Sequence, residues 1–95
     1  MEIRESRDMA LTMENFERTL PRAVGDCSYT LQGRGATVRV GEGEVVIELG
    51  PQKMRKIALL EIPWCRVEFV AKNLTDDQFK LFSENFHRHF QRGGG

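Results

Sequence analysis

Four of the six phenylalanines in this 95-residue chain stand at Phe79, Phe82, Phe86 and Phe90, spaced three, four and four apart. On an α-helix that spacing puts all four rings on one side. The stretch before them, Leu74-Thr75-Asp76-Asp77-Gln78-Phe79, has the pattern of a helix start. Thr75 caps the helix, Gln78 reaches back as its capping-box partner, and Leu74 staples onto Phe79. Asp76 and Asp77 fall in the first turn, where the helix dipole favours acids, so they need no catalytic explanation. A ridge this apolar must lie on another surface.

The centre of the chain supplies one. From Cys27 the apolar period is two: Cys27, Tyr29 and Leu31 alternate with Ser28, Thr30 and Gln32. Gly33-Arg34-Gly35 and Gly41-Glu42-Gly43 are spaced as hairpin turns, and between them Ala36, Val38 and Val40 alternate with Thr37 and Arg39. Val45, Ile47 and Leu49 continue the pattern up to Gly50-Pro51. Lys53 to Ile62 reads as a fourth strand with apolar residues on both faces. Pro63 is expected to interrupt pairing, and Trp64 to Val70 resumes alternation as a fifth strand. An earlier helix follows Asp8, a candidate N-cap, with Thr12 capping a shorter version. It carries Met9, Met13, Phe16 and Leu20 in one stripe and is expected to stop near Leu20, because Pro21 lacks the backbone donor.

The order α-β-β-β-β-β-α predicts an α+β two-layer sandwich, an antiparallel meander of about five strands with an N-terminal and a C-terminal helix on one face. The inner face is expected to hold Tyr29, Leu31, Val38, Val40, Val45, Ile47, Val67 and Phe69. By element order this is similar to helix-grip and TATA-binding-protein-like folds, an analogy of architecture alone. Residues 1–92 are expected to form a single domain and residues 93–95 a flexible glycine tail.

Fourteen basic and fourteen acidic residues give zero formal net charge, so no global field favours nucleic acid or membrane phosphates. No apolar run approaches the roughly 20 residues of a membrane span, and residues 1–10 alternate charges where a signal peptide carries an apolar stretch. A cytoplasmic protein is expected, with Cys27 and Cys65 as packed thiols.

With both helices on one side, the other sheet face is open. Ser28, Thr30, Gln32, Thr37, Arg39, Glu44, Glu48, Arg66 and Glu68 suit water there. Val46, Ala58, Leu60, Ile62, Trp64 and Val70 do not, and side by side they would make an apolar patch of the kind that binds a partner. These six are the candidate binding residues, for a second copy in a homodimer or for another protein. The bland alternative tucks Ile62 and Trp64 around the sheet edge and leaves Val46 an isolated exposed valine.

Other motifs carry less. His87 and His89, two apart on a helix, point away from each other and cannot share a metal from this segment; each suits the margin of the helix–sheet contact. Arg34, Arg39, Lys53, Arg55 and Lys56 form one basic group and Arg88 and Arg92 another, but Glu42, Glu44 and Glu48 interleave with the first. The Arg92 to Gly95 tail resembles the Gly-Gly ends of ubiquitin-like and sulfur-carrier proteins. That resemblance implies an activatable carboxyl terminus, but those families release the tail from a final strand, and glycine behind a helix is its ordinary C-cap. No P-loop, dinucleotide fingerprint or nucleophile elbow occurs. The expectation is a non-enzymatic interaction or dimerisation module without cofactor, metal, nucleic acid or membrane. The alternative is a small-molecule binder with an apolar cavity between the phenylalanine helix and the sheet, and third a carrier using its glycine tail.

Overall fold

The computed structural model describes residues 2–94, with side chains through residue 90. In chain order the elements are β1 (Glu2–Met9), α1 (Met13–Val24), β2 (Tyr29–Gln32), β3 (Gly35–Val40), β4 (Gly43–Leu49), β5 (Lys53–Ile57), β6 (Leu60–Lys72) and α2 (Asp76–Gly94). Every strand pairing is antiparallel. The main sheet runs β1-β6-β4-β3-β2, and β5 pairs with β6 beyond it. Both helices lie on one face, giving the expected two-layer α+β architecture with one strand more.

The phenylalanine ridge is the centre of the core. Phe86 is wholly buried, stacks on Phe90 at 4.4 Å and meets Phe69 of β6 edge to face at 5.2 Å. Phe90 in turn stacks on Phe16 of α1 at 5.9 Å, which joins the two helices through one aromatic row. Burying each such ring contributes about 2–3 kcal/mol. The start of α2 is built as the sequence reads: the Gln78 amide donates to Thr75 Oγ1 at 3.1 Å, and the Thr75 amide donates to Gln78 Oε1 at 2.9 Å. Leu74 and Phe79 are both buried in the same cluster. At its far end α2 is helical to Gly94, past the point where the sequence suggests a stop, and Gly95 lies outside the described residues.

Four sequence expectations need correction. Residues 2–9 are a strand, not the approach to a helix. β1 adds to β6 with Met9 opposite Cys65, and α1 begins only at Met13, capped by Thr12 Oγ1 accepting from the Asn15 amide at 3.1 Å. Pro21 does not end α1, which continues to Val24; burial of Ala23 and Val24 offsets the missing bond, and Gly25 at φ 61° ends the helix. Tyr29 and Leu31 are 36% and 45% exposed. They share a face with Val38 and Ala36 by register, but β2 is the last strand and the helices stop short of it.

The fourth correction places the site. Lys53 to Ile62 is not one strand: the chain reverses at Ala58-Leu59, a two-residue turn with Ala58 at φ 54°. Pro63 does not interrupt pairing either, since it stands opposite Met54 inside β6. The Gly50 amide donates to the Arg66 carbonyl at 2.7 Å, so even residues of β6 turn their backbone groups towards β4 and β5. Pro63, an odd one, has its missing donor on the opposite, open side. β4, β5 and β6 are therefore one long hairpin with a bulge. Leu49 pairs with Val67 and Lys53 with Trp64, so Gly50, Pro51 and Gln52 face only Cys65 and Arg66.

Candidate functional site

Beyond the bulge the hairpin leaves the sheet as an arm, β5 with Leu60–Trp64 of β6, paired only to itself. Its root is clamped from two sides. Arg34, in the β2–β3 turn, donates from Nε to the Leu49 carbonyl at 3.3 Å and from Nη2 to the Gly50 carbonyl at 2.9 Å. Gln52 Nε2 donates to the Leu11 carbonyl at 3.2 Å and the Trp64 carbonyl at 3.0 Å, tying the bulge to the loop before α1. The fixed root gives the arm a defined direction, and the molecule measures 46 × 24 × 23 Å.

Register gives the arm two faces. Lys53, Arg55 and Ile57 pair with Trp64, Ile62 and Leu60 on one face; Met54 and Lys56 pair with Pro63 and Glu61 on the other. On the first face Lys53 Nζ lies 5.3 Å and Arg55 Cζ 5.4 Å from the centre of the Trp64 ring, two cations against the indole. On the second, Lys56 meets Glu61 at 3.7 Å in an exposed ion pair of little energetic weight. The tip is apolar and bare. Leu59 is fully exposed, Leu60 65% and Ile57 51%; Met54, nearer the root on the other face, is 54% exposed.

The six residues singled out by the sequence thus separate into two groups. Val46 and Val70 are direct cross-strand partners on the outer sheet face, each half-buried. Leu60, Ile62 and Trp64 line one face of the arm, and Ala58 sits in its turn. Arg66 and Glu68 lie between the groups along the same row of β6, beside Glu48, the direct partner of Glu68. Around them, where arm meets sheet, is an open hollow of about 400 Å³ lined by Glu48, Pro51, Lys53, Trp64, Arg66 and Glu68 among others. Ile57, Leu59 and Met54 were not among the sequence candidates. Their exposure follows from a turn without glycine or asparagine, which left no local signal.

The histidines stand at the margin of the core, as their spacing suggests. His89 Nδ1 is 2.8 Å from the Asn85 carbonyl. His87 packs edge to face on Phe69 and Phe86, and its Nε2 is buried without a hydrogen-bond partner, 3.9 Å from Glu5 Oε2. Burial first, then the Arg7 guanidinium, pushes the His87 imidazole below its ordinary pKa, while Glu5 pulls the other way. Burial pushes the Cys65 thiol up, with Arg34 opposing. Cys65 is buried and Cys27 half-buried, and both are free. Among the described residues no three His, Cys, Asp or Glu side chains converge as a metal cradle. In the same residues no helix is long and apolar enough to cross a membrane.

The basic residues are dispersed. Arg34 is consumed by the clamp, Arg39 faces Glu44 across β3 and β4, and Lys53, Arg55 and Lys56 belong to the arm. The chain matches no protein-family model, and no curated protein aligns with it significantly.

Proposed function

We propose that this chain is a non-enzymatic protein-interaction module of the cytoplasm, and that its β5–β6 arm is the part that enters the partner. The observation that carries this reading is the arm tip, where Ile57, Leu59 and Leu60 stand in water on a hairpin whose root is fixed. Exposed apolar side chains gathered at one projecting point mark a contact site. Lys53, Arg55 and Lys56 against Glu61 leave the arm with two net positive charges. A protein groove with an apolar floor and an acidic rim fits that chemistry. The free thiols suit a reducing compartment. The stacked phenylalanines favour this reading over a ligand cavity beneath α2, because interiors packed ring on ring leave no room for a guest.

The test is a photo-crosslinking residue installed at Leu59 in cells, with Leu81, a 63% exposed leucine on α2, as control. The expected outcome is a discrete protein adduct from position 59 and none from 81, abolished by Lys53→Glu with Arg55→Glu. Binding of anionic phospholipid vesicles through the tip, with no protein adduct, would replace the reading with a membrane one.

A further inference from the structure

A second surface, on the opposite border of the hairpin from β4, fits a second copy of the chain. We infer that the open edge of β1 pairs with β1 of another molecule, antiparallel about a two-fold axis through Ser6. The backbone is set up for it. Even residues of β6 direct their amides and carbonyls to β4, as the Gly50 to Arg66 bond shows, so odd residues direct theirs to β1. The β1–β6 register joins odd to odd, Met9 with Cys65, Arg7 with Val67 and Glu5 with Phe69. The amides and carbonyls of Arg4, Ser6 and Asp8 therefore point out of the sheet, and among the described residues no strand takes them.

Charges on an edge strand ordinarily prevent pairing. In β1 their order does the reverse for one register. With Ser6 opposite Ser6, Arg4 stands opposite Asp8 on the outer face, while Glu5 stands opposite Arg7 and Ile3 opposite Met9 on the inner face, each relation repeated by the two-fold. Four of the five charges of β1 meet their opposites, Glu2 falls opposite the uncharged Ala10, and the two half-buried apolar residues meet each other. Sliding by two residues either way destroys this. A two-fold at Glu5 sets Glu5 on Glu5 and Glu2 on Asp8, and a two-fold at Arg7 sets Arg7 on Arg7. Shifts by one would oppose an outward backbone group with an inward one and exchange the faces. The in-chain partners of these side chains do not compete strongly. Arg4 with Glu2 at 3.2 Å and Arg66 with Asp8 at 3.2 Å are exposed ion pairs, free to be shared across the new edge, and the inner pair Arg7 with Glu5 at 3.1 Å is partly exposed and would be shared with the same pair of the second copy. The pairing would extend the main sheet across the two-fold and leave both arms free, so it is independent of the proposed docking by the arm.

The test is sedimentation from low micromolar to about 1 mM protein, a range that reaches weak association. The wild type should move from monomer to dimer across it. Ser6→Pro removes only an outward donor, leaves the β1–β6 ladder intact, and should remain monomeric with unchanged circular dichroism. Arg4→Asp alone sets carboxylate against carboxylate across the two-fold, and Asp8→Arg alone sets guanidinium against guanidinium, so each should weaken its own dimer by about tenfold or more. Mixed one to one, the two variants present opposite charges to each other at both altered positions and should form a heterodimer. This mixing result stays decisive even if the proline variant folds poorly. A monomeric wild type at the highest concentration, a dimer surviving Ser6→Pro, or a mixture no heavier than its components would overturn the inference.

Discussion

β6 lives two lives within thirteen residues. From Cys65 to Lys72 it is paired with β1, from Val67 also with β4, and its inward side chains Cys65, Val67, Phe69 and Ala71 are at most 1% exposed. From Leu60 to Trp64 it is paired on one side and no residue is buried: Leu60 and Glu61 are exposed and Ile62, Pro63 and Trp64 half-buried. The sequence on either side of the border is comparably apolar, so composition does not make the difference. Coverage does: α2 and α1 lie over the first part, and a clamped bulge carries the second away from them. The contrast teaches that an apolar strand can be core or contact surface according to what the neighbouring elements reach. It also yields tests of whether the border is where the structure draws it.

The largest effect separates the two parts directly. Phe86→Ala should destabilise the protein by about 3–5 kcal/mol in denaturant titration, because the ring is fully buried against Phe69 and Phe90. Leu60→Ala, also removing a large apolar side chain, should change stability by no more than about 0.5 kcal/mol. Comparable losses would show that the arm is folded into the core after all.

Next comes the border itself. Gln52→Ala removes donors to the Leu11 and Trp64 carbonyls, a loss of about 1 kcal/mol. Its signature should be local: amides of Lys53 to Trp64 exchange faster while those of Cys65 to Lys72 keep their protection. Uniform acceleration along β6 would mean that arm and sheet open as one unit.

A more modest effect belongs to the covered part alone. The His87 imidazole has its pKa lowered by burial and by Arg7, with Glu5 of β1 opposing and Ser83 Oγ hydrogen-bonded to that carboxylate at 3.4 Å. A base with a depressed folded pKa binds fewer protons folded than unfolded, so stability is fully present above the unfolded value near 6.5 and declines as pH falls below it. Unfolding midpoints measured between about pH 7.5 and 5 should therefore fall, and His87→Gln should flatten that slope. An unchanged slope in the variant would assign the pH dependence to other groups.

Most of the covered part was legible in the sequence, and little of the arm. The capping box at Thr75, the phenylalanine spacing and the alternation from Ala36 to Leu49 are local signals for elements that are also buried, so propensity and packing agree. β1 was missed because Glu5 and Arg7 occupy its inner positions, a pattern that looks polar throughout unless the strand is known to sit at an edge beside α2. The arm was misread for a related reason. With Ile57, Ala58, Leu59 and Leu60 all apolar, neither periodicity nor a turn residue marks the reversal, and the bulge at Gly50 to Gln52 shifts the face of every residue in β5 by one. The candidate residues Leu60, Ile62 and Trp64 do share a face, but Val46 and Val70 lie beyond Arg66 and Glu68, which only the register reveals.

The unmarked reversal gives the smallest and most local prediction. Ala58 holds φ 54° in the two-residue turn, a left-handed conformation that strains a residue with a Cβ by about 1–2 kcal/mol. Glycine relieves that strain but loses more freedom on ordering, so Ala58→Gly should tighten the arm by no more than about 1 kcal/mol. Because the arm adds little to the core, this gain should appear as slower amide exchange between Lys53 and Trp64, with the global unfolding midpoint nearly unmoved. A midpoint that rises with the exchange protection would show that the arm unfolds only with the whole molecule. The border drawn at Gln52 would then be a feature of shape and not of stability.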